Sequence, residues 1–410
     1  MKILMIAPQP FFEPRGTPIS VLQRLQGLSD LDYEVDLATY HLGEDVDIAG
    51  VTIRRAPPIP FISRVKIGPS LAKIPLDIML FCYTLWLLLT RRYDAIHTHE
   101  EAAFFVVPLC WFFRIPHLYD MHSSLPRQLA NYNFGNYRPI VWLFELLEDW
   151  VLDTCSVVLT VGLDLEDYVR QLNPQVNHIC IENIALQNSE LEDVEAIAAL
   201  RHELGLYGKV AIVYTGTFEA YQGLHILFES ACQVVQKYPE ARFVLVGGKP
   251  EQVTCWQQRT IAMGLHDRVL FTGTVSLDKS LHCLALSDIL VSPRTEGLSV
   301  PLKLYSYLHA AKPMVATNIV AHTQILNEEM AVLVEPTPTA FAQGLLRLLN
   351  DEQLRITLGE NARAYAEREF SRESYLNKLE RAYLSAMHQQ PVSEVVVPES
   401  GRRRTVSVSS

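Results

Sequence analysis

The densest run of reactive side chains in this 410-residue chain is DILVSPRTEGLSVPLKLYSYLHAAKPMVATN, from Asp288 to Asn318. A strand ends at Ser292-Pro293, and a loop then carries Arg294, Glu296, Gly297 and Leu298. A helix is expected from Ser299 or Val300 past Tyr307, with Lys303 and Ser306 on it. The first N–H groups of a helix lack internal partners and suit a phosphate. Pro301 has no N–H and fits a first turn, where none is needed. Glu296 can accept from sugar hydroxyls, and Arg294 or Lys303 can meet diphosphate charge. A second stretch, VYTGTFEAYQGLHILFESA from Val213 to Ala231, places Gly216 at a strand end and Gly223 at a helix start. Thr217, Glu219 and Gln222 lie between them. Glycines at such points let a backbone approach a diphosphate.

The first half offers histidines. AIHTHEEAAF sets His97 and His99 at i, i+2, on one side of a strand, before Glu100 and Glu101. That spacing invites a metal, but no further Cys or His cluster supports one. LYDMHSSLPRQL places His122 directly after a strand. Arg127 and Gln128 follow as candidate acceptor contacts, and His99 is another. APQPFFEPRGTPIS sets Gly16 between the first strand and a helix, with Pro14 and Pro18 around it. The Asp-x-Asp pairs Asp30/Asp32 and Asp45/Asp47 fall in loop-like segments, so no metal ligation is expected of them.

These residues sit at the ends of a regular alternation. Short β-branched runs start at Lys2, Glu34, Val51, Ala95, Pro116, Val157 and His178, and helical stretches separate most of them. After an acidic, alanine-rich break the pattern restarts at Val210, Arg242, Val269, Asp288, Pro313 and Ala331. Strand–helix alternation implies parallel sheets covered on both faces, with ligands at the carboxyl ends of the strands. Two Rossmann-like lobes are therefore expected, at 1–187 and 209–370, joined by a linker at 188–208. Ser371 looks like the N-cap of a final helix at 371–388, and 389–410 reads as a mobile tail.

On these motifs the chain resembles the family 4 retaining glycosyltransferases of bacterial polysaccharide and glycolipid synthesis. Glu296-Gly297, the helix start and Ala311-Lys312-Pro313 match the family's nucleotide-sugar signature. Gly216 and Gly223 match its first phosphate loop. Three positions depart: Thr217 stands where Arg is common, Gln222 where Lys is common, and Ser306 where a second Glu holds the ribose. Neutral groups there bind more weakly, and Arg294 and Lys303 are placed to compensate. The resemblance implies a two-lobe fold called GT-B, with the last helix crossing back to the first lobe. It implies sugar transfer from a UDP- or GDP-sugar with retention and without metal or other cofactor, as a hexosyltransferase. His122, Glu219 and Glu296 become catalytic candidates. Gly16, Gly216, Thr217, Gln222, Arg294, Gly297, Leu298, Ser299, Lys303 and Ser306 become donor contacts. The acceptor is expected to be a glycan or glycolipid. A non-catalytic nucleotide-sugar scaffold and a GT-B sugar-nucleotide epimerase stay as alternatives. A dinucleotide oxidoreductase is disfavoured, because the first strand is not followed by G-x-G-x-x-G.

Composition agrees with a cytoplasmic protein. The net charge of −11 argues against nucleic acid as a partner. Seven scattered cysteines without a C-x-x-C pair suit a reducing compartment. No signal peptide is read at Met1. The run LDIMLFCYTLWLLL from Leu76 to Leu89 is short for a span, which needs about 20 residues. It reads as a buried helix or as one leaning on a membrane surface, helped by Arg64, Lys66, Lys73, Arg91 and Arg92.

Overall fold

All thirteen runs named above are strands in the computed structural model, which describes residues 1–13, 16–60, 62, 63, 65, 73–131, 138–185 and 193–388. The first sheet holds β1 (Lys2–Ala7), β2 (Glu34–Thr39), β3 (Val51–Arg55), β4 (Ala95–His99), β5 (His117–Met121), β6 (Val157–Thr160) and β7 (His178–Cys180). Its order is β3-β2-β1-β4-β5-β6-β7, and every pairing is parallel. The second holds β8 (Val210–Thr215), β9 (Ala241–Val246), β10 (Val269–Gly273), β11 (Ile289–Ser292), β12 (Met314–Thr317) and β13 (Val332–Val334). Its order, β10-β9-β8-β11-β12-β13, repeats the same winding. In each sheet the order reverses beside the first strand. The crevice of an open parallel sheet lies at that reversal, outside the strand ends. The relevant ends are β1 and β4 in one lobe and β8 and β11 in the other.

The first lobe carries α1 (Gly16–Asp30), α2 (Lys73–Thr90), α3 (Ala102–Phe113), α4 (Leu125–Asn131), α5 (Arg138–Thr154) and α6 (Leu163–Leu172). Then come α7 (Val194–Glu203), α8 (Leu224–Lys237), α9 (Pro250–Ala262), α10 (Leu277–Ala285), α11 (Lys303–His309), α12 (Val320–Thr323), α13 (Pro338–Asn350), α14 (Glu352–Glu369) and α15 (Arg372–His388). Central strands are buried on both faces; Ile3 to Ala7 expose no surface. That explains their continuous apolar sequence.

Three local outcomes refine the sequence reading. The segment assigned to the linker folds in part as α7, capped by the Asp193 carboxylate, which accepts from Ala196 N at 2.9 Å. Arg201 fastens α7 to the second lobe by donating to the carbonyls of Leu286 (2.7 Å) and Lys209 (2.8 Å). Next, α2 is not a buried helix. Only Leu76, Leu80, Thr84, Leu87 and Leu88 are buried on it. Finally, α11 starts at Lys303, later than Ser299, because the chain enters through a tight turn in which Leu304 N bonds Pro301 O at 2.9 Å.

The last helix does cross back. Ser371 caps it, its hydroxyl accepting from Ser374 N at 3.1 Å. It packs on α1 and on β4 to β7 of the first lobe. Lys378 pairs with Glu182 at 2.7 Å. Residues Pro14, Arg64 and Lys66 and the expected tail at 389–410 lie outside the described residues.

Candidate active site

A polar cluster lies under His122 in the first lobe. His97 and His99 stand side by side on β4, their rings stacked with centroids 4.7 Å apart. Asp120 on β5 and His122 just after it have the same i, i+2 relation. Asp120 Oδ2 accepts from Arg24 Nε of α1 at 2.8 Å, and both side chains are fully buried. The guanidinium also donates to Tyr375 Oη (3.0 Å) and to Ile181 O (2.9 Å). His97 Nε2 lies 3.3 Å from the same carboxylate. A carboxylate can only accept, so Nε2 carries the proton and Nδ1 accepts from Tyr383 Oη at 2.6 Å. His99 Nδ1 meets His122 Nε2 at 3.0 Å, so one of these nitrogens donates. His122 Nε2 lies 3.4 Å from Asp120 Oδ1.

The charge states follow from burial and neighbours. Burial alone would raise the Asp120 carboxyl, but Arg24, His122 and His97 hold it well below the usual carboxylate range. Burial pushes His97 down, His99 well down and His122 to about 4, so all three are neutral near pH 7. Ligand atoms of His97, His99 and Asp120 lie within 4.8 Å of one another, a spacing that fits a metal ion. Arg24 already supplies a cation to that carboxylate, so a dication there would meet a fixed positive charge.

The second lobe builds its site differently. Gly223 has φ +71°, and a Cβ on it would collide with the carbonyl of Pro293. That contact seats the turn Ala220–Gln222 against the Arg294 loop, and Thr295 N bonds Tyr221 O at 2.9 Å. Gly297, at φ +115°, leaves room for the Arg294 guanidinium. Arg294 lies over the Tyr221 ring at 5.1 Å. Lys303 Nζ lies 4.0 Å from the Tyr214 ring centroid and donates to Gln222 Oε1 at 3.3 Å. Gln222 Nε2 in turn reaches Thr217 Oγ1 at 3.4 Å. Tyr307 of α11 accepts from Thr215 N at 2.9 Å and locks this helix to the end of β8. Burial and the nearby Arg294 hold the Lys303 ammonium well below its ordinary pKa, and burial lowers Arg294. Neither cation has a carboxylate partner among the described residues.

The site residues expected from sequence divide accordingly. Gly216, Thr217, Gln222, Arg294, Gly297 and Lys303 converge at the ends of β8 and β11. Leu298 and Ser299 are exposed on the adjoining loop, and Glu296 is exposed beside them. Ser306 sits half-buried on α11. Glu219 is drawn toward α9, accepting from Gln252 Nε2 at 3.1 Å. In the first lobe Gly16 opens α1 with φ +40°. Arg127 reaches Asp164 at 3.4 Å and lies 3.9 Å over the Tyr168 ring. His99 is corrected as an acceptor contact: its side chain exposes no surface and stands behind His122. The side chain of Gln128 lies outside the described residues. Asp30 holds Arg372 and Asp45 holds Arg55, which gives both Asp-x-Asp pairs a structural use.

Residues 15–182 match the family described as "Glycosyl transferase 4-like domain", and residues 209–351 match "Glycosyl transferases group 1". The chain belongs to the family 4 glycosyltransferases. This glycosyltransferase is 25% identical over 384 residues to the phosphatidyl-myo-inositol mannosyltransferase of Mycobacterium tuberculosis, covering 87% of this chain and 89% of that one. It is 23% identical over 254 residues to the putative glycosyltransferase YtcC of Bacillus subtilis, covering 58% of this chain and 62% of YtcC. Among solved structures, Alr3699/HepE of Anabaena in complex with UDP superposes with a TM-score of 0.74 at 18% identity, over 94% of this chain and 100% of that one. Sucrose-phosphate synthase of Thermosynechococcus elongatus gives 0.76 at 18% identity, over 95% and 100%. The GT-B fold expected from the motifs is therefore the fold of this glycosyltransferase.

Sequence reading missed Arg24, Asp120, Tyr375 and Tyr383 in the first lobe and Tyr214, Tyr221 and Tyr307 in the second. Asp120 was within reach, since it shares the i, i+2 spacing of His97 and His99 with His122. Arg24, a lone charge among the apolar positions of α1, was a weaker signal. Gln324 was also missed. Its side chain joins the lobes, accepting from Asp164 N at 3.1 Å and donating to Leu298 O.

Proposed function

We propose that the chain transfers a hexosyl group from a nucleoside-diphosphate sugar to a glycan or glycolipid, with retention of configuration. The observation that carries this reading is the pair of half-buried cations, Lys303 and Arg294, which have no carboxylate partner among the described residues. Holding two such charges out of water is unfavourable unless an anion joins them. A diphosphate supplies that anion, and it is the leaving group whose charge grows in the transition state. Lys303 stands beside Gln222, so its ammonium takes the place of the lysine that the phosphate loop lacks. Two fixed cations do the electrostatic work of a metal ion, so transfer proceeds without one.

In this reading His122 faces the donor sugar, with Asp120 and His99 fixing its ring from behind. Glu296 accepts from sugar hydroxyls, and Glu219 holds a donor or acceptor hydroxyl. The UDP bound by Alr3699/HepE supports a nucleotide donor. The name of the mycobacterial relative, a phosphatidyl-myo-inositol mannosyltransferase, supports a hexose and a lipid-linked acceptor. The protein works in the cytoplasm at the inner face of a membrane.

The test is calorimetric titration of the purified chain with UDP and GDP, without added metal. One of them binds in the micromolar range. Lys303→Ala weakens it about ten- to a hundredfold, the worth of a charge-assisted hydrogen bond. If neither nucleotide binds, or if Lys303→Ala binds as well as the native chain, the reading fails.

A further inference from the structure

The tryptophans are distributed unevenly. Of five, Trp86, Trp111, Trp142 and Trp150 are exposed on helices of the first lobe. Trp256 alone packs inward, against Phe228 at 5.0 Å. On α2 and α3, Trp111 is 82% exposed, Phe112 71%, Leu89 67% and Trp86 51%, and on α5 Trp142 is 59% exposed. Helices α2 and α3 are neighbours, joined beneath the surface by the edge contact of Phe81 and Phe105 at 5.9 Å. Their outward sides therefore form one continuous apolar face. A face of this kind on a soluble chain marks something that covers it.

Charge identifies the cover. The sequence of α3 carries no charged residue, and the one carboxylate of α2, Asp77, is turned inward to bond Tyr40. Arg91 and Arg92 follow α2 and Arg114 ends α3, all exposed, while the nearby carboxylates are engaged: Asp94 accepts from Lys2 N at 2.7 Å and Glu101 pairs with Lys73 at 2.7 Å. Arg91 lies 3.7 Å from Asp36, whereas Arg92 and Arg114 have no carboxylate partner among the described residues. The chain as a whole is acidic, at −11, so this grouping runs against its own composition. Carboxylates return on α5, which packs against α3 and sets Glu145, Asp149 and Asp153 among its own exposed apolar residues Trp142, Leu143 and Leu146.

We infer that the α2–α3 face is a docking surface for a bilayer containing anionic lipid. Trp86, Leu89, Trp111 and Phe112 enter the interfacial layer, and Arg92 and Arg114 lie on headgroup phosphates. Tryptophan and arginine are the side chains suited to that depth: one end of each is apolar and the other stays wet. A second copy of the chain fits less well, since a symmetric contact through this face would set arginines against arginines. The inference deepens the proposed membrane-side acceptor. It does not need the transfer reaction, because lipid binding is measured without donor or acceptor.

The experiment is sedimentation of the full chain with phosphatidylcholine vesicles, with and without phosphatidylglycerol. The expected result is binding to the anionic vesicles, with a blue shift of tryptophan emission and quenching by brominated lipid. Trp111→Glu with Phe112→Glu abolishes binding while leaving the melting transition in place, since both rings point outward. Arg92→Gln with Arg114→Gln weakens binding to anionic vesicles about thirtyfold and removes most of its salt dependence. Equal binding to neutral vesicles overturns the role given to the arginines. Failure to bind either vesicle overturns the proposal. So does a dimer, seen by light scattering, that Trp111→Glu with Phe112→Glu dissociates, because a second copy then covers the face.

Discussion

Both lobes set ionisable side chains at the carboxyl ends of their central strands, and they treat the charge in opposite ways. In the first lobe Arg24 and Asp120 expose nothing, and the guanidinium is bonded on every side, to Asp120, Tyr375 and Ile181. In the second lobe Lys303 and Arg294 are half-covered and lean on the faces of Tyr214 and Tyr221, with no carboxylate partner among the described residues. The first arrangement is complete without a ligand, so its charges belong to the fold. The second is incomplete, so its charges belong to whatever binds. A buried pair stabilises only while both partners remain, whereas an unmatched cation costs stability until an anion arrives.

Acid should have the largest effect, through buried imidazoles in both lobes, of which His97, His99 and His122 belong to the first arrangement. Seven imidazoles among the described residues, His97, His99, His117, His122, His178, His309 and His322, are held below their ordinary pKa by burial. The unfolded chain takes up their protons first, so the stability they contribute is present above pH 6.5. It is lost as pH falls toward about 4, the folded value of His122, His178 and His322. Asp77, raised to about 7 by burial, Glu100, raised to about 8, and Glu148 act in the opposite sense. Seven groups outweigh three, so urea midpoints should fall between pH 6.5 and 4.5. A midpoint that is level over that range would mean that these imidazoles are not buried and neutral.

Arg24→Met tests the pair itself. It leaves Asp120 buried without its cation, at a cost of about 3–5 kcal/mol in urea unfolding. A loss below about 1 kcal/mol would place Asp120 in contact with water. Lys303→Met gives the smallest effect on stability and the opposite sign. Removing an unmatched, half-buried ammonium while keeping its apolar stem should leave the melting temperature unchanged or slightly raised, even as nucleotide binding is lost. If both stability and binding fell in Lys303→Met, the contrast between the lobes would collapse, and Lys303 would count as part of the fold.

The same contrast explains what could be read in advance. The strands were legible because central strands of parallel sheets are buried on both faces and become unbroken β-branched runs. Repetition of the pattern gave both lobes, and the Glu296-Gly297 and Gly216/Gly223 motifs located the second site because its members lie close along the chain. The first site resisted reading. Arg24, Asp120, Tyr375 and Tyr383 come from α1, β5 and α15, and no local pattern links them. The start of α11 was misplaced because Pro301 suits a tight turn as well as a first helical turn. The linker hid α7, because three of its six apolar residues are alanines, too small to mark a helical period. The outward face of α2 was invisible for a simpler reason: apolar residues all round a helix do not say which side is covered.

The returning helix α15 bears on how the chain is made. Arg24 waits for Tyr375, 351 residues later, before its guanidinium is fully bonded. Ribosomes add about 5–20 residues each second, so the interval is about 20–70 s. For the later part of that time the first lobe has been made, with its innermost cation and carboxylate still lacking their phenolic neighbours, while the second lobe is still being synthesised. The half of the molecule that is made first is thus finished last, and a nascent chain halted before α15 should be a lasting client of chaperones.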